Sequence, residues 1–274
     1  LEKDFSLNFT GTRNLNTNNN IGYQYGLLYE NECLGVDLNY YKPLGQTEEM
    51  AEIDRRTIKA CISMGIMMTD TCVNYQTIMP PVYGEHVAYG DTGVVIYSNS
   101  VCGVRSNFEG GPSALAAGLT GRTPDYGLHL DENRLPTKRF CVKYQPKDLT
   151  DWGILGAIIG KTLGSYWEVP LIEALEVIPN SDEMKHMGAA MASYGSTPLF
   201  HLHKITPEAK NLKIEQFANL DLVEINSSDF KSLKSLFGNK GDKIDVVVFA
   251  APQLSIVEMQ NVANLSKDKS FKVP

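Results

Sequence analysis

The chain has 274 residues, 43% of them hydrophobic and 21% charged, which suits a large α/β domain or two smaller ones around a buried core. A formal net charge of −7 leaves no basic face for nucleic acid, and the longest apolar runs, 154–159 and 246–251, are far too short to span a membrane. The five cysteines, Cys33, Cys61, Cys72, Cys102 and Cys141, are odd in number, irregularly spaced and without a C-x-x-C, the pattern of reduced thiols in a cytoplasmic protein.

In chain order, residues 1–35 are rich in Asn, Thr and Gly and read as a poorly ordered or divergent segment. A first helix is expected over 48–64, with Met50, Ile53, Thr57, Cys61 and Met64 at helical spacing, Thr47 as its cap and Gly65 as its stop. Cys61 falls on the apolar face and is expected in the core. A short buried strand is expected at 94–97, then a polar, Gly-rich connection, then a helix from Pro112 that ends before Gly121. Further helices are expected near 151–163, 182–194, 228–237 and 256–265, the last opened by a Ser255/Glu258 capping box, and strands near 139–142, 199–203 and 244–249. This alternation predicts an α/β architecture with mixed or parallel sheets. No Pro- or Ser-rich linker divides it, so 36–274 reads as one continuous region, with two subdomains meeting near residue 135. Leu1 in place of an initiator methionine and the strand-like ending at Val273-Pro274 suggest a chain cut at both ends.

Chemistry concentrates between Ser98 and Ser113, a run of hydroxyls and amides with Arg105 and Glu109. It links the expected strand to a helix start, and so should lie where open α/β sheets bind ligands, beyond the strand's carboxyl end. Gly110 and Gly111 would bring helix N–H groups close to an anion, and Arg105 would grip a carboxylate or phosphate bidentately. The other reading is a surface loop closed by ordinary capping, with Glu109 answering the helix dipole. Downstream, Asp131, Glu132 and Arg134 read as solvated turn charges. Upstream, Cys72, Glu85 and His86 are residue types for metal or acid–base work. The Gly153, Gly156 and Gly160 spacing reads as close helix packing, and Met184, Met187 and Met191 as core. His201 and His203 are expected to meet solvent or a backbone partner rather than a metal.

Taken together, Thr69 to Cys72, Gly84-Glu85-His86, Ser98-Asn99-Ser100, Arg105 through Gly127, His129 through Arg134 and Asp148 through Gly153 resemble the aconitase X family of phosphomevalonate and 3-hydroxyproline dehydratases. The resemblance covers about residues 36–265, and the block from Glu109-Gly110-Gly111-Pro112-Ser113 to Thr123-Pro124 is its most specific part. It implies an aconitase-like multi-subdomain core, truncated here, and a hydro-lyase that removes water from a small hydroxy carboxylic acid, mevalonate 5-phosphate or cis-3-hydroxy-L-proline. It also implies a small swivelling subunit or fused domain that supplies a base, and an iron–sulfur cluster as Lewis acid.

By the same resemblance Cys72 falls on a cluster ligand, Glu85, His86, Ser98 and Asn99 on catalytic positions, and Ser100, Arg105, Ser106, Asn107, Glu109, Gly110 and Gly111 on substrate-binding ones. One departure stands out. Where cluster-bearing relatives carry a Gly-Cys-Pro-His word, this chain has Ala250-Ala251-Pro252-Gln253, so Ala251 replaces a thiolate, and a third ligand would lie beyond Pro274. The alternative is therefore an inactive remnant that keeps the fold as a binding or scaffold protein.

Overall fold

A computed structural model describes Lys42, residues 45–68, 71–237 and 252–270, and the backbone of four short strands nearer the start. Those strands are β1 (Arg13–Asn14), β2 (Gly22–Tyr23), β3 (Leu28–Tyr29) and β4 (Glu32–Cys33). The remainder of 1–35, the strand expected at 244–249 and Ala251 lie outside the described residues.

The first long helix, α1 (Glu48–Ser63), is capped by Thr47, whose hydroxyl accepts from the Met50 N–H at 3.2 Å. It buries Ala51, Asp54 and Cys61 and stops where Gly65 turns to φ +81. Strand β5 (Met67–Met68) pairs in parallel with β2, and a single turn, α2 (Asn74–Thr77), follows. Then the chain departs from expectation. Residues 94–97 are not a strand but part of α3 (Thr92–Tyr97), capped by Asp91, which accepts from the Val94 N–H at 3.0 Å. The β-branched run Val94-Val95-Ile96 has the composition of a strand, yet all three side chains are buried, and packing against a later helix overrides propensity. Helix α3 continues directly into a π-helical turn, Ser98–Cys102, that ends at Gly103 with φ +70. A Cβ at Gly103 would collide with the Tyr83 ring, so glycine is required twice over.

Helix α4 (Gly111–Thr120) and strand β6 (Arg122–Thr123) follow, β6 pairing antiparallel with β1. Beyond the turn Asp131–Arg134 the chain becomes regular: β7 (Lys138–Val142), α5 (Leu149–Leu163), β8 (Pro170–Glu173), α6 (Ser181–Gly195), β9 (His201–Leu202), β10 (Leu222–Ile225) and α7 (Ser227–Lys234). The four strands form one parallel sheet in the order β10-β7-β8-β9, with Leu222 opposite Arg139 and Arg139 opposite Leu171. Strands β8 and β10 escaped the sequence reading. Helix α8 (Ile256–Ser266) starts at the anticipated Ser255/Glu258 box.

Helices α5 and α6 pack along each other. A Cβ on Gly156 would overlap the Met187 carbonyl, one on Gly160 the Met191 carbonyl, and one on Gly195 the Gly160 carbonyl. The small-residue spacing is thus a helix–helix seam, as its pattern suggested. The core beside it includes Phe140, Trp152, Leu155, Ile172, Met187 and Phe200, all at most 1% exposed. Each contributes roughly 1.5–3 kcal/mol relative to an exposed position.

Candidate active site

The π-turn presents three consecutive polar residues, Ser98, Asn99 and Ser100, all buried. Single π-turns place side chains that a regular helix would phase differently and recur at functional sites. Here the turn faces residues that lead into the sheet. The Asn99 amide donates to the Ser106 carbonyl at 2.8 Å and the Pro198 carbonyl at 2.9 Å, while its oxygen accepts from the Ser106 N–H at 3.0 Å. The Ser100 hydroxyl accepts from the Phe200 N–H at 2.8 Å. Pro198 and Phe200 precede β9, so the cluster contacts the amino side of that strand. The expected place beyond a strand's carboxyl end is not where it lies, because the element before the polar run is a helix.

Both Asn99 amide hydrogens are thereby spent on backbone carbonyls, and none is left for a substrate carboxylate. Its role in this geometry is to hold the following loop against the π-turn. Asn107 does the same farther on: its amide donates to the Tyr126 carbonyl at 3.1 Å and its oxygen accepts from the Leu128 N–H at 2.7 Å and the Tyr166 hydroxyl at 2.9 Å. Ser106 is buried and donates to the Asn107 carbonyl at 3.2 Å.

Beneath this frame sits Arg134, expected at the surface and found 2% exposed. Its guanidinium donates to both Glu208 oxygens, to the Asn99 side-chain and backbone oxygens and to the Leu128 carbonyl. Burial pulls its pKa down and Glu208 opposes that pull. Glu208 also accepts from Arg105 at 3.0 Å, which joins the two arginines through one carboxylate. The second arm of Arg105 donates to Asp131 at 2.8 Å. That carboxylate is 84% exposed, whereas Arg105 is 14% exposed. Sequence reasoning missed Glu208, because nothing local marks a glutamate 74 residues away as the partner of Arg134.

Arg105 also joins the strand-like pairing with 85–87: its N–H donates to the Glu85 carbonyl at 2.8 Å, and the Val87 N–H donates to its carbonyl at 3.0 Å. His86 is therefore held beside it in a parallel bridge. The His86 and His129 Nδ1 atoms lie 2.9 Å apart, with the rings stacked at 5.2 Å between centroids. One nitrogen must carry the proton and the other accept it. His129 is fully buried, with Nε2 3.4 Å from the Thr123 hydroxyl. The Glu85 carboxylate accepts from the Val82 N–H at 3.0 Å, closing its own turn.

The start of α4 already has its anion. Glu109 accepts from the Ser113 hydroxyl at 2.5 Å, so the chain's own carboxylate answers the helix dipole next to Gly110 and Gly111. Its other oxygen, Oε1, is buried and, among the described residues, unpaired, as is the Ser98 hydroxyl. Of the candidate catalytic and substrate-binding residues, these two have unused buried polar atoms among the described residues.

Cys72 is buried on the other side of the π-turn, in a cluster with Val73, Tyr75, Val94 and Tyr97 that Val101 and Cys102 pack against. Burial raises its pKa, and that of Cys102 to about 11. The Cys72 N–H donates to the Gln253 side chain at 2.8 Å, and the Gln253 N–H donates to the Cys72 sulfur at 3.4 Å. Among the described residues no three His, Cys, Asp or Glu side chains gather to hold a metal ion.

Residues 31–132 match the aconitase X first domain, and residues 136–235 match the aconitase X second domain. The chain belongs to the aconitase X family. The two matches meet at the turn Asp131–Arg134 that leads into β7. The phosphomevalonate dehydratase large subunit of Thermococcus kodakarensis is 36% identical over 230 residues, 83% of this chain and 58% of that protein. The cis-3-hydroxy-L-proline dehydratase of Hypocrea jecorina is 28% identical over 86% of this chain and 40% of its own length. The crystal structure of the holo form of Thermococcus kodakaraensis aconitase X superposes with a TM-score of 0.73 at 35% identity, over 83% of this chain and 58% of that one. The chain thus spans a little over half the length of its phosphomevalonate-dehydratase relative. An iron–sulfur cluster is held by several cysteine thiolates. Among the described residues this corner holds two thiols, Cys72 and Cys102, with no third ligand side chain gathered beside them and the Cys72 sulfur and N–H engaged by Gln253, and they do not fit such a group.

Proposed function

We propose that this chain is the acid-binding portion of a cytoplasmic hydro-lyase that removes water from a small hydroxy carboxylic acid, mevalonate 5-phosphate or cis-3-hydroxy-L-proline. The supporting observation is the arm of Arg105 that rests on an 84%-exposed carboxylate beside the His86–His129 pair. An ion pair open to solvent contributes only about 0–1 kcal/mol, so a substrate carboxylate or phosphate displaces Asp131 from Arg105 at little cost. Glu208 meanwhile keeps the guanidinium aimed. The names of the dehydratase relatives supply the reaction class.

In this reading His86, sharing a proton with His129, protonates the departing hydroxyl, and a small partner subunit or fused domain brings the base that takes the proton from the carbon next to the carboxylate. Ser98 Oγ and Glu109 Oε1 are the remaining groups with capacity for substrate. Because the Glu109 carboxylate stands beside Ser113 at the start of α4, a substrate phosphate is assigned to Arg105 and not to Gly110–Ser113.

The test is water loss from either acid, followed by NMR, with the full-length protein and its small subunit. Arg105→Met should raise KM by about 10-fold or more, the worth of a charge-assisted hydrogen bond. His86→Asn should lower kcat by roughly 10²–10⁴. If neither acid is dehydrated, the reading fails. The second reading, an inactive binding or scaffold protein, is favoured by one observation, the corner at Cys72, where the described residues bring no three metal-holding side chains together. Binding of either acid without turnover is the outcome that supports it.

A further inference from the structure

The corner around Cys72 is not merely short of ligands; it is filled. Gln253 reaches Cys72 with two reciprocal hydrogen bonds across 181 residues of chain, one to the Cys72 N–H and one from its own N–H to the sulfur. Its carbonyl accepts from the Lys185 ammonium at 2.9 Å. Lys185 is 2% exposed and is also paired with Glu258, whose carboxylate accepts from the Ser255 N–H at the start of α8. The Ser255 hydroxyl donates in turn to Asp182 at 3.0 Å. The segment 252–258 is thus tied to Cys72 and α6 by hydrogen bonds and an ion pair. A buried ammonium is costly unless paired, and these contacts satisfy Lys185 within the chain.

We propose that this chain closes the corner at Cys72 with a hydrogen-bonded clasp, centred on Gln253 and Lys185, in place of an iron–sulfur cluster. The sequence agrees, since the neighbouring Ala251 has no atom with which to bind iron. The clasp stands independently of the reaction proposed above: a failed dehydration assay would leave it intact, and an active enzyme without iron would support both.

The test uses the full chain purified anaerobically and then incubated with ferrous iron, sulfide and reductant before desalting. Iron and acid-labile sulfide are expected at background, with no visible charge-transfer band, and a chelator should not shift the melting temperature. Gln253→Ala should lower that temperature by about 2–4 °C, and Cys72→Ser, which keeps the backbone donor and offers a hydroxyl acceptor, should lower it less. Retained iron and sulfide that Cys72→Ser abolishes would overturn the proposal. So would a Gln253→Ala protein that melts like the parent.

Discussion

The half of the molecule around the parallel sheet and the half around the π-turn are held by different forces. Between β7 and α7 the core is apolar and close, with glycines at Gly156, Gly160 and Gly195 letting two helices approach to backbone contact. Between Glu85 and Arg134 a buried guanidinium and two asparagine side chains tie short helices to the loops between them. The first kind of order depends on local pattern. The second depends on partners far apart in the chain, and it is the half that carries the groups suited to chemistry, as expected of loops set on a rigid scaffold.

Removing Arg134 tests that contrast most severely. Arg134→Met strips both Glu208 oxygens and the Asn99 oxygens of a charged donor and leaves Glu208 with Arg105 alone. Breaking a buried ion pair from one side costs about 3–5 kcal/mol, so urea denaturation should show a loss of that order. Hydrogen exchange should rise at residues 98–107 well before the sheet. If the sheet and the π-turn lost protection together, the two halves would not be distinct.

Gly156→Ala makes the complementary change in the packed half. The new methyl meets the Met187 carbonyl, which is backbone and cannot swing aside. Overpacking of this kind costs roughly 1–3 kcal/mol. Stability should fall while Arg105 and the histidine pair keep their anion affinity, measured by titration with inorganic phosphate.

The same contrast explains what the sequence disclosed. Helices α1, α5, α6 and α8 were visible because their apolar spacing and N-terminal caps are local. Helix α3 was misread because Val94, Val95 and Ile96 are buried on every side and show no helical period, although Asp91 sat in capping position. Strands β8 and β10 have four residues each, too few for a period to show, and one begins with a proline. Ser98 to Glu109 stands out in the sequence by composition, but its charge partners lie at Asp131, Arg134 and Glu208. Arg134 looked like a turn charge for the same reason: only the fold shows what surrounds it.

The smallest effect expected is a two-step acid response. Burial lowers the pKa of His186 on α6 and of His201, whose ring contacts the Arg134 carbonyl at 2.7 Å. A depressed folded value means the unfolded chain takes up protons first. The stability these histidines contribute is therefore present above their unfolded value of about 6.5 and declines as pH falls below it. Asp151 behaves the same way at lower pH. Burial alone would raise its carboxyl, but Lys234, the Lys147 N–H and the Tyr144 hydroxyl outweigh burial and hold it below the usual range. Its contribution is intact above the unfolded value of about 3.9 and is lost as pH falls through the folded one. Denaturation midpoints measured from pH 8 to 3 should thus stay level, dip below about 6.5 and dip again below about 4. Asp151→Asn should cost about 1–2 kcal/mol at neutral pH, the worth of a charged hydrogen bond, and flatten the second dip alone. His201→Gln should soften the first dip and leave the second, because Asp151 draws its partners from α7 and the β7–α5 connection and His201 from the Arg134 frame.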